Sequence, residues 1–267
     1  PLIWENLDYW AQLILLIVTT TFLIYAANYS EKFEDRSLFI FKSSERVSSV
    51  LYLISTISFA SVTVFSLNIL STINLINIAD DTSILIASFF VLIYAIYLYI
   101  RTGSIFQHIT LFYTSIFFLG SLGNLFFQNI EPWAGGLFLF STGLIWGIYT
   151  LSEVLEPSWL GYLLSSSTIS IGSIIFINDL VGSNNLLEII LLILGSVIFV
   201  WGSIRLSEQV IFFIGGLGLI INLPRLITEL LPDNVWPPLI LFMVGGVLVA
   251  VGLYLNSIRE NLKINAE

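Results

Sequence analysis

Residues 82–100 read TSILIASFFVLIYAIYLYI, a run without one charged side chain, closed by Asp81 before it and Arg101 after it. As a helix rising 1.5 Å per residue, this run is about 29 Å long and matches the ~30 Å hydrocarbon core of a bilayer. A barrel strand would alternate apolar and polar residues over about ten positions, and these residues do not alternate. In lipid only helices and closed barrels satisfy their own backbone groups. The run therefore predicts a transmembrane helix.

Further charge-free runs cover 9–30, 48–79, 102–130, 132–152, 157–178, 189–204, 209–224 and 234–258. The 189–204 run is short because Glu188 stands at its start. A carboxylate in a first helical turn near the interface suits the helix dipole. The 209–224 run is the weakest, because Pro224 and Arg225 are expected to end it early. The expected fold class is an all-α integral membrane protein of about nine transmembrane helices. Composition agrees: 57% of the 267 residues are hydrophobic, 10% are charged, and mean hydropathy is +0.96. A soluble domain carries roughly 25% charged residues. Single cores stop growing at about 250–300 residues, so the surplus apolar surface must meet lipid.

Charge placement predicts the orientation. If residues 30–47 face the cytoplasm, alternation puts Lys32, Arg36, Lys42, Arg46, Arg101, Arg205, Arg259 and Lys263 on that side. Of the nine basic residues, Arg225 alone falls on the other, a positive-inside pattern. The carboxyl terminus is then cytoplasmic and the amino end lies outside, in a bacterial-type plasma membrane or a thylakoid. The outer side collects Glu5, Asp8, Asp80, Asp81, Glu131, Asp179, Glu188, Glu229 and Asp233, which carry most of the net charge of −9. Such a face attracts cations; equally, acids drift to the side from which bases are excluded.

Four segments end alike: Ala-Ile-Tyr-Leu at 95–98, Gly-Ile-Tyr-Thr at 147–150, Gly-Ser-Ile-Arg at 202–205 and Gly-Leu-Tyr-Leu at 252–255. A period near 50 residues in a helical membrane protein is one hairpin per repeat. The expected organisation is a first transmembrane helix over 1–30 and a charged cytoplasmic loop over 31–47. Residues 48–267 then form four hairpins of about 52 residues and a short cytoplasmic tail. Because 9–30 resembles the returning helix of such a hairpin, one more helix is expected upstream. The outer connections are read as 68–81, 124–133, 178–187 and 223–237. In the last, Leu226-Ile227 and Leu230-Leu231 around Arg225 and Glu229 predict a short interfacial helix.

Few residue types are present with which to do chemistry. The chain has no cysteine and one histidine, so thiolate chemistry and any site needing two histidines are excluded. No Ser–His or metal-ligand constellation is legible. The expectation is no enzyme, no cofactor and no metal, and the acidic balance argues against a nucleic-acid partner. Two polar patches invite a transport reading. One is Ser165, Ser166, Ser167 and Thr168; the other is the irregular stretch of Asn222, Pro224 and Arg225 after Gly215, Gly216 and Gly218. Transporters build midplane sites from broken helices, whereas a helix that ends near Asn222 would only let Arg225 snorkel outward. His108, beside Gln107 and Thr110, is either an intramembrane functional group or a hydrogen-bonded interior histidine. Gly143 with Gly147, Gly195 with Gly202 and Gly245 with Gly252 share helix faces. They predict close packing between repeats or a dimer seam.

The last hairpin, Ile211–Leu255, joins a glycine-rich helix through Leu-Pro-Arg-Leu to Leu-Phe-Met-Val-Gly-Gly-Val-Leu-Val-Ala-Val-Gly-Leu-Tyr-Leu. Over these residues the chain resembles the closing hairpin of uncharacterised polytopic bacterial membrane proteins grouped as domains of unknown function. The resemblance implies a bacterial multi-hairpin membrane protein and carries no functional residues. Its expected role is a non-enzymatic scaffold or subunit of a membrane assembly. Its partners would be the bilayer and other membrane subunits or a second copy. The alternative is a small-molecule transporter with a site between hairpin repeats.

Overall fold

In hydrocarbon a backbone N–H or C=O finds no water, so each apolar run closes its bonds internally. A computed structural model describes residues 4, 7–32, 43–72, 80–126, 131–182, 186–230, 242, 245 and 246. Among them the helices are α1 (Tyr9–Lys32), α2 (Ser43–Thr72), α3 (Asp80–Thr102), α4 (Ile105–Phe126), α5 (Pro132–Leu151), α6 (Ser158–Val181), α7 (Leu186–Leu206) and α8 (Gln209–Leu230). All eight are long and apolar enough to cross a membrane. The expected ninth span, 234–258, lies outside the described residues except for Phe242, Gly245 and Gly246. So does most of the charged 31–47 loop.

The helices put apolar side chains outward, as lipid requires. Phe22 and Ile198 are each 66% exposed. Hydroxyls on these helices bond their own backbone: Thr19, Thr20 and Thr21 each donate to the carbonyl four residues back at 2.8 Å. A hydroxyl satisfied in this way adds no unmet polar group to the apolar medium.

Packing divides the chain into two units, Pro1–Ile130 and Glu131–Glu267. In the first, α1 packs on α2, α3 packs on α4, and α2 touches both α3 and α4. In the second, α5 packs on α6, α7 packs on α8, and α6 touches both α7 and α8. The pairing scheme is the same. The boundary falls inside 102–152, a stretch read from sequence as one hairpin.

The α3–α4 and α7–α8 turns also agree. Each has two residues, Gly103-Ser104 and Ser207-Glu208, and each opens with a left-handed residue, φ +57° at Gly103 and +55° at Ser207. Gly103 N donates to Tyr99 O at 2.8 Å and ends α3; a residue without Cβ adopts this conformation freely. Aligning the turns sets a correspondence of 104 positions, taking Gly103 to Ser207, Arg101 to Arg205, and α4 onto α8 from end to end.

Two expectations are corrected. The outer connections are shorter than read: 73–79, 127–131 and 182–185 separate the helices. And α8 does not end at Pro224 and Arg225; it runs through Pro224 to Leu230, taking the expected interfacial helix into itself. A proline costs a helix one N–H donor and crowds a carbonyl. Membrane helices tolerate it where neighbouring groups compensate, and here the residues on either side of Pro224 are tied down by polar bonds.

Candidate functional site

The second unit shows how those bonds arise. Glu188 is the third residue of α7, where the positive end of the helix dipole favours a carboxylate. Glu188 thus stands in the first helical turn, as read from sequence, and its side chain is only 1% exposed. Arg225 of α8 reaches it, Nη2 donating to Oε1 at 3.2 Å and to Oε2 at 3.5 Å. Arg225 Nη1 also donates to Asn222 Oδ1 at 3.3 Å, and Asn222 Nδ2 donates to Gly218 O at 2.8 Å. Glycine brings the two helices into range. A Cβ at Gly215 would stand 2.9 Å from Ser196 O and Val200 N, and one at Gly218 would collide with Ser196 Oγ.

The Ser165–Thr168 patch lies on α6 against α5. A Cβ at Gly147 would come within 2.7 Å of Ser165 Oγ, and one at Gly143 within 3.0 Å of Ser165 O. Ser166 Oγ donates to Tyr162 O at 2.5 Å and Thr168 Oγ1 to Leu164 O at 2.7 Å; both side chains are buried, and Ser167 is half-buried. Nearer the start of α5, Gly136 and Gly172 face each other so closely that an added Cβ on either would stand 2.5 Å from backbone nitrogen. The expected role of Gly143 and Gly147 in helix contact is thus met within the chain. A Cβ added at Gly195 or Gly202, by contrast, would meet no neighbouring atom within 4 Å.

The two halves of the sequence-read site stand at different depths. Ser165 lies about 10 Å along α6 from the α5–α6 turn, and Asn222 about 20 Å along α8 from its turn on the same side. Where α5 begins and α6 ends, Asp179 Oδ2 accepts from Trp133 N at 2.9 Å, capping the start of α5. In the α7–α8 turn, burial pushes the Glu208 carboxyl above its ordinary range.

In the first unit His108 is fully buried and meets Tyr99 edge to face, ring centres 5.6 Å apart. Its neighbour Gln107 donates to Ser49 O at 3.0 Å and also meets Ser104 Oγ. One turn of backbone away, Arg101 bonds Asn28 Oδ1 at 2.6 Å and Glu31 Oε2 at 3.1 Å, and lies 5.8 Å from the Tyr52 ring centre. Tyr52 OH donates to the same Asn28 oxygen at 2.8 Å. Ala27, Tyr52 and Leu98 pack around these bonds. Among the described residues no group of three His, Cys, Asp or Glu side chains is placed to hold a metal ion.

Sequence reading missed both ion pairs, because each joins residues far apart in the chain. A signal was present for one: Arg225 is the exception to the charge asymmetry, and an exceptional cation needs a counter-charge. Eight helices among the described residues, each long and apolar enough to cross a membrane, define a helical polytopic membrane protein. Comparison with protein-family models, curated proteins and solved structures finds no match to this chain.

Proposed function

We propose that this chain is a non-enzymatic subunit of a membrane assembly, acting as a helical scaffold of nine spans with a cytoplasmic carboxyl terminus. The observation that carries the reading is the commitment of its hydroxyl patch: Ser165, Ser166 and Thr168 are buried, bonded to their own helix or pressed against Gly143 and Gly147. A substrate site needs polar groups with unspent hydrogen bonds, and these are spent on packing. The 104-residue correspondence between turns supports an internal repeat, with two periods of about 52 residues in each unit.

The second reading is a small-molecule transporter, with a site between hairpin repeats. It rests on the buried Glu188 beside Arg225 and the proline of α8, a charge pair set between two helices.

The chain lacks cysteine, so single-cysteine variants test both readings in a native background. Ser165→Cys and Thr168→Cys are expected to resist a membrane-impermeant thiol reagent from either side in reconstituted vesicles. On a native gel in mild detergent, the untouched chain should migrate in a complex larger than itself. Labelling of both cysteines, with a monomer on the gel, would establish the transporter instead. Lys32→Cys and Arg259→Cys should label from the same face.

A further inference from the structure

In the second unit the space between the halves of α7 and α8 far from their turn is filled by side chains: Glu188 and Arg225. The 104-residue correspondence carries these to Ile84 and Ser121 in the first unit. Neither can fill it. A groove of about 340 Å³ remains between α3 and α4, lined by Asp81, Ile84, Ile116, Phe117, Gly120, Ser121 and Asn124. A Cβ built on Gly120 meets no atom within 4 Å, so the floor is open where a side chain would otherwise stand.

The groove is graded. One end is apolar, with Ile84, Ile116 and Phe117 along an open face, and the other is polar, with Asp81 accepting from Asn124 Nδ2 at 3.3 Å. From Ile116 to Asn124 the helix rises about 12 Å. Among the described basic residues of this unit, Lys32, Arg46 and Arg101 lie at the opposite helix ends. Among the described residues of this unit, the polar end therefore presents a carboxylate without a basic side chain beside it, where the second unit presents a carboxylate clasping a guanidinium on an apolar stem. The groove flanks helices that face hydrocarbon, so what lies against it is either lipid or protein.

We propose that this groove is a lipid site, taking one acyl chain along Ile84, Ile116 and Phe117 and the primary ammonium of an ethanolamine headgroup at Asp81. The lipid supplies in the first unit what the Arg225 side chain supplies in the second: an apolar stem ending in a cation that donates hydrogen bonds. An anionic headgroup would meet Asp81 with the wrong sign.

The test is native mass spectrometry of the full chain, delipidated in detergent and titrated with dioleoyl phosphatidylethanolamine or dioleoyl phosphatidylglycerol. The ethanolamine lipid should bind about tenfold more tightly, the scale of one charge-assisted hydrogen bond. Asp81→Asn should bring the two lipids level. Gly120→Leu, which fills open space, and the pair Ile84→Glu with Ser121→Arg, which transplants the second unit's ion pair, should each abolish the preferential adduct. Circular dichroism should be unchanged in all three. Equal binding of both lipids to the unaltered chain overturns the proposal. So does an ethanolamine adduct that survives Gly120→Leu, or a lipid-free dimer that Gly120→Leu dissociates, since the groove would then be a seat for a second copy. Should Gly120→Leu fail to fold, Asp81→Asn at the exposed polar end decides alone.

Discussion

The α3–α4 and α7–α8 hairpins share a two-residue turn, a left-handed residue at its start and a helix-for-helix correspondence, yet they close the halves far from that turn differently. In α7–α8 an ion pair with one partner buried fills the gap. In α3–α4 a serine and an isoleucine leave it open. Between helices in a bilayer there is no hydrophobic drive to close a gap, because lipid tails are as apolar as leucine. Gaps are closed by glycine contact, filled by polar pairs or left to lipid. One architecture can therefore hold a rigid joint in one unit and a binding groove in the other.

The sharpest break of this comparison is Arg225→Ala. It strips a buried carboxylate of its guanidinium and should cost about 3 kcal/mol, the lower end for a broken buried pair because the arginine is partly exposed. Unfolding in detergent monitored by circular dichroism measures it. Glu188→Ile with Arg225→Ser, which installs the first unit's residues, should recover most of that loss; a double variant as unstable as Arg225→Ala would show that the pair does more than fill space.

Next in size is glycine contact. Gly172→Ala sets a Cβ 2.5 Å from Phe140 N and should destabilise by about 2 kcal/mol. Gly120→Ala, with nothing in reach, should stay within about 0.5 kcal/mol of the parent. Equal melting temperatures for the two variants would contradict the assignment of closed and open seams.

The turns give a smaller contrast. Ser207→Gly relieves a side chain in a left-handed conformation and should stabilise by about 0.5 kcal/mol, while Gly103→Ala should cost about 1 kcal/mol. Opposite signs in a thermal melt are the expected result.

The weakest effect is on pH. Burial raises the Glu208 carboxyl in the folded state above its unfolded value, so the folded chain holds that proton more tightly. Ionising it costs stability above the folded pKa. That cost fades as pH falls from the folded value towards the unfolded one, and below both the group contributes nothing. Glu208→Gln should remove this stability gain over the acidic range; an unchanged slope of melting temperature against pH would show that another group carries it.

Much of the fold was legible because a charge in hydrocarbon is so costly that charges mark helix ends. Asp81 and Arg101 frame α3, and Glu188 and Arg205 sit in the first and last turns of α7. The same logic misjudged α8. Pro224 and Arg225 look like an ending only while Arg225 lacks a partner, and its partner lies 37 residues earlier in the chain. Ser165–Thr168 looked like a site because hydroxyls are conspicuous among leucines. Their carbonyl partners one turn back are a local matter, but the glycines that bury them stand on α5, beyond the reach of any pattern in α6.

By itself the sequence determined that the chain forms apolar helices of bilayer length, since that follows from composition and spacing along one strand of chain. Only the tertiary structure decided which seams are sealed by glycine, which by an arginine and a glutamate, and which stays open beside Gly120. Those outcomes depend on how closely two backbones approach, and that distance is set by residues on the facing helix.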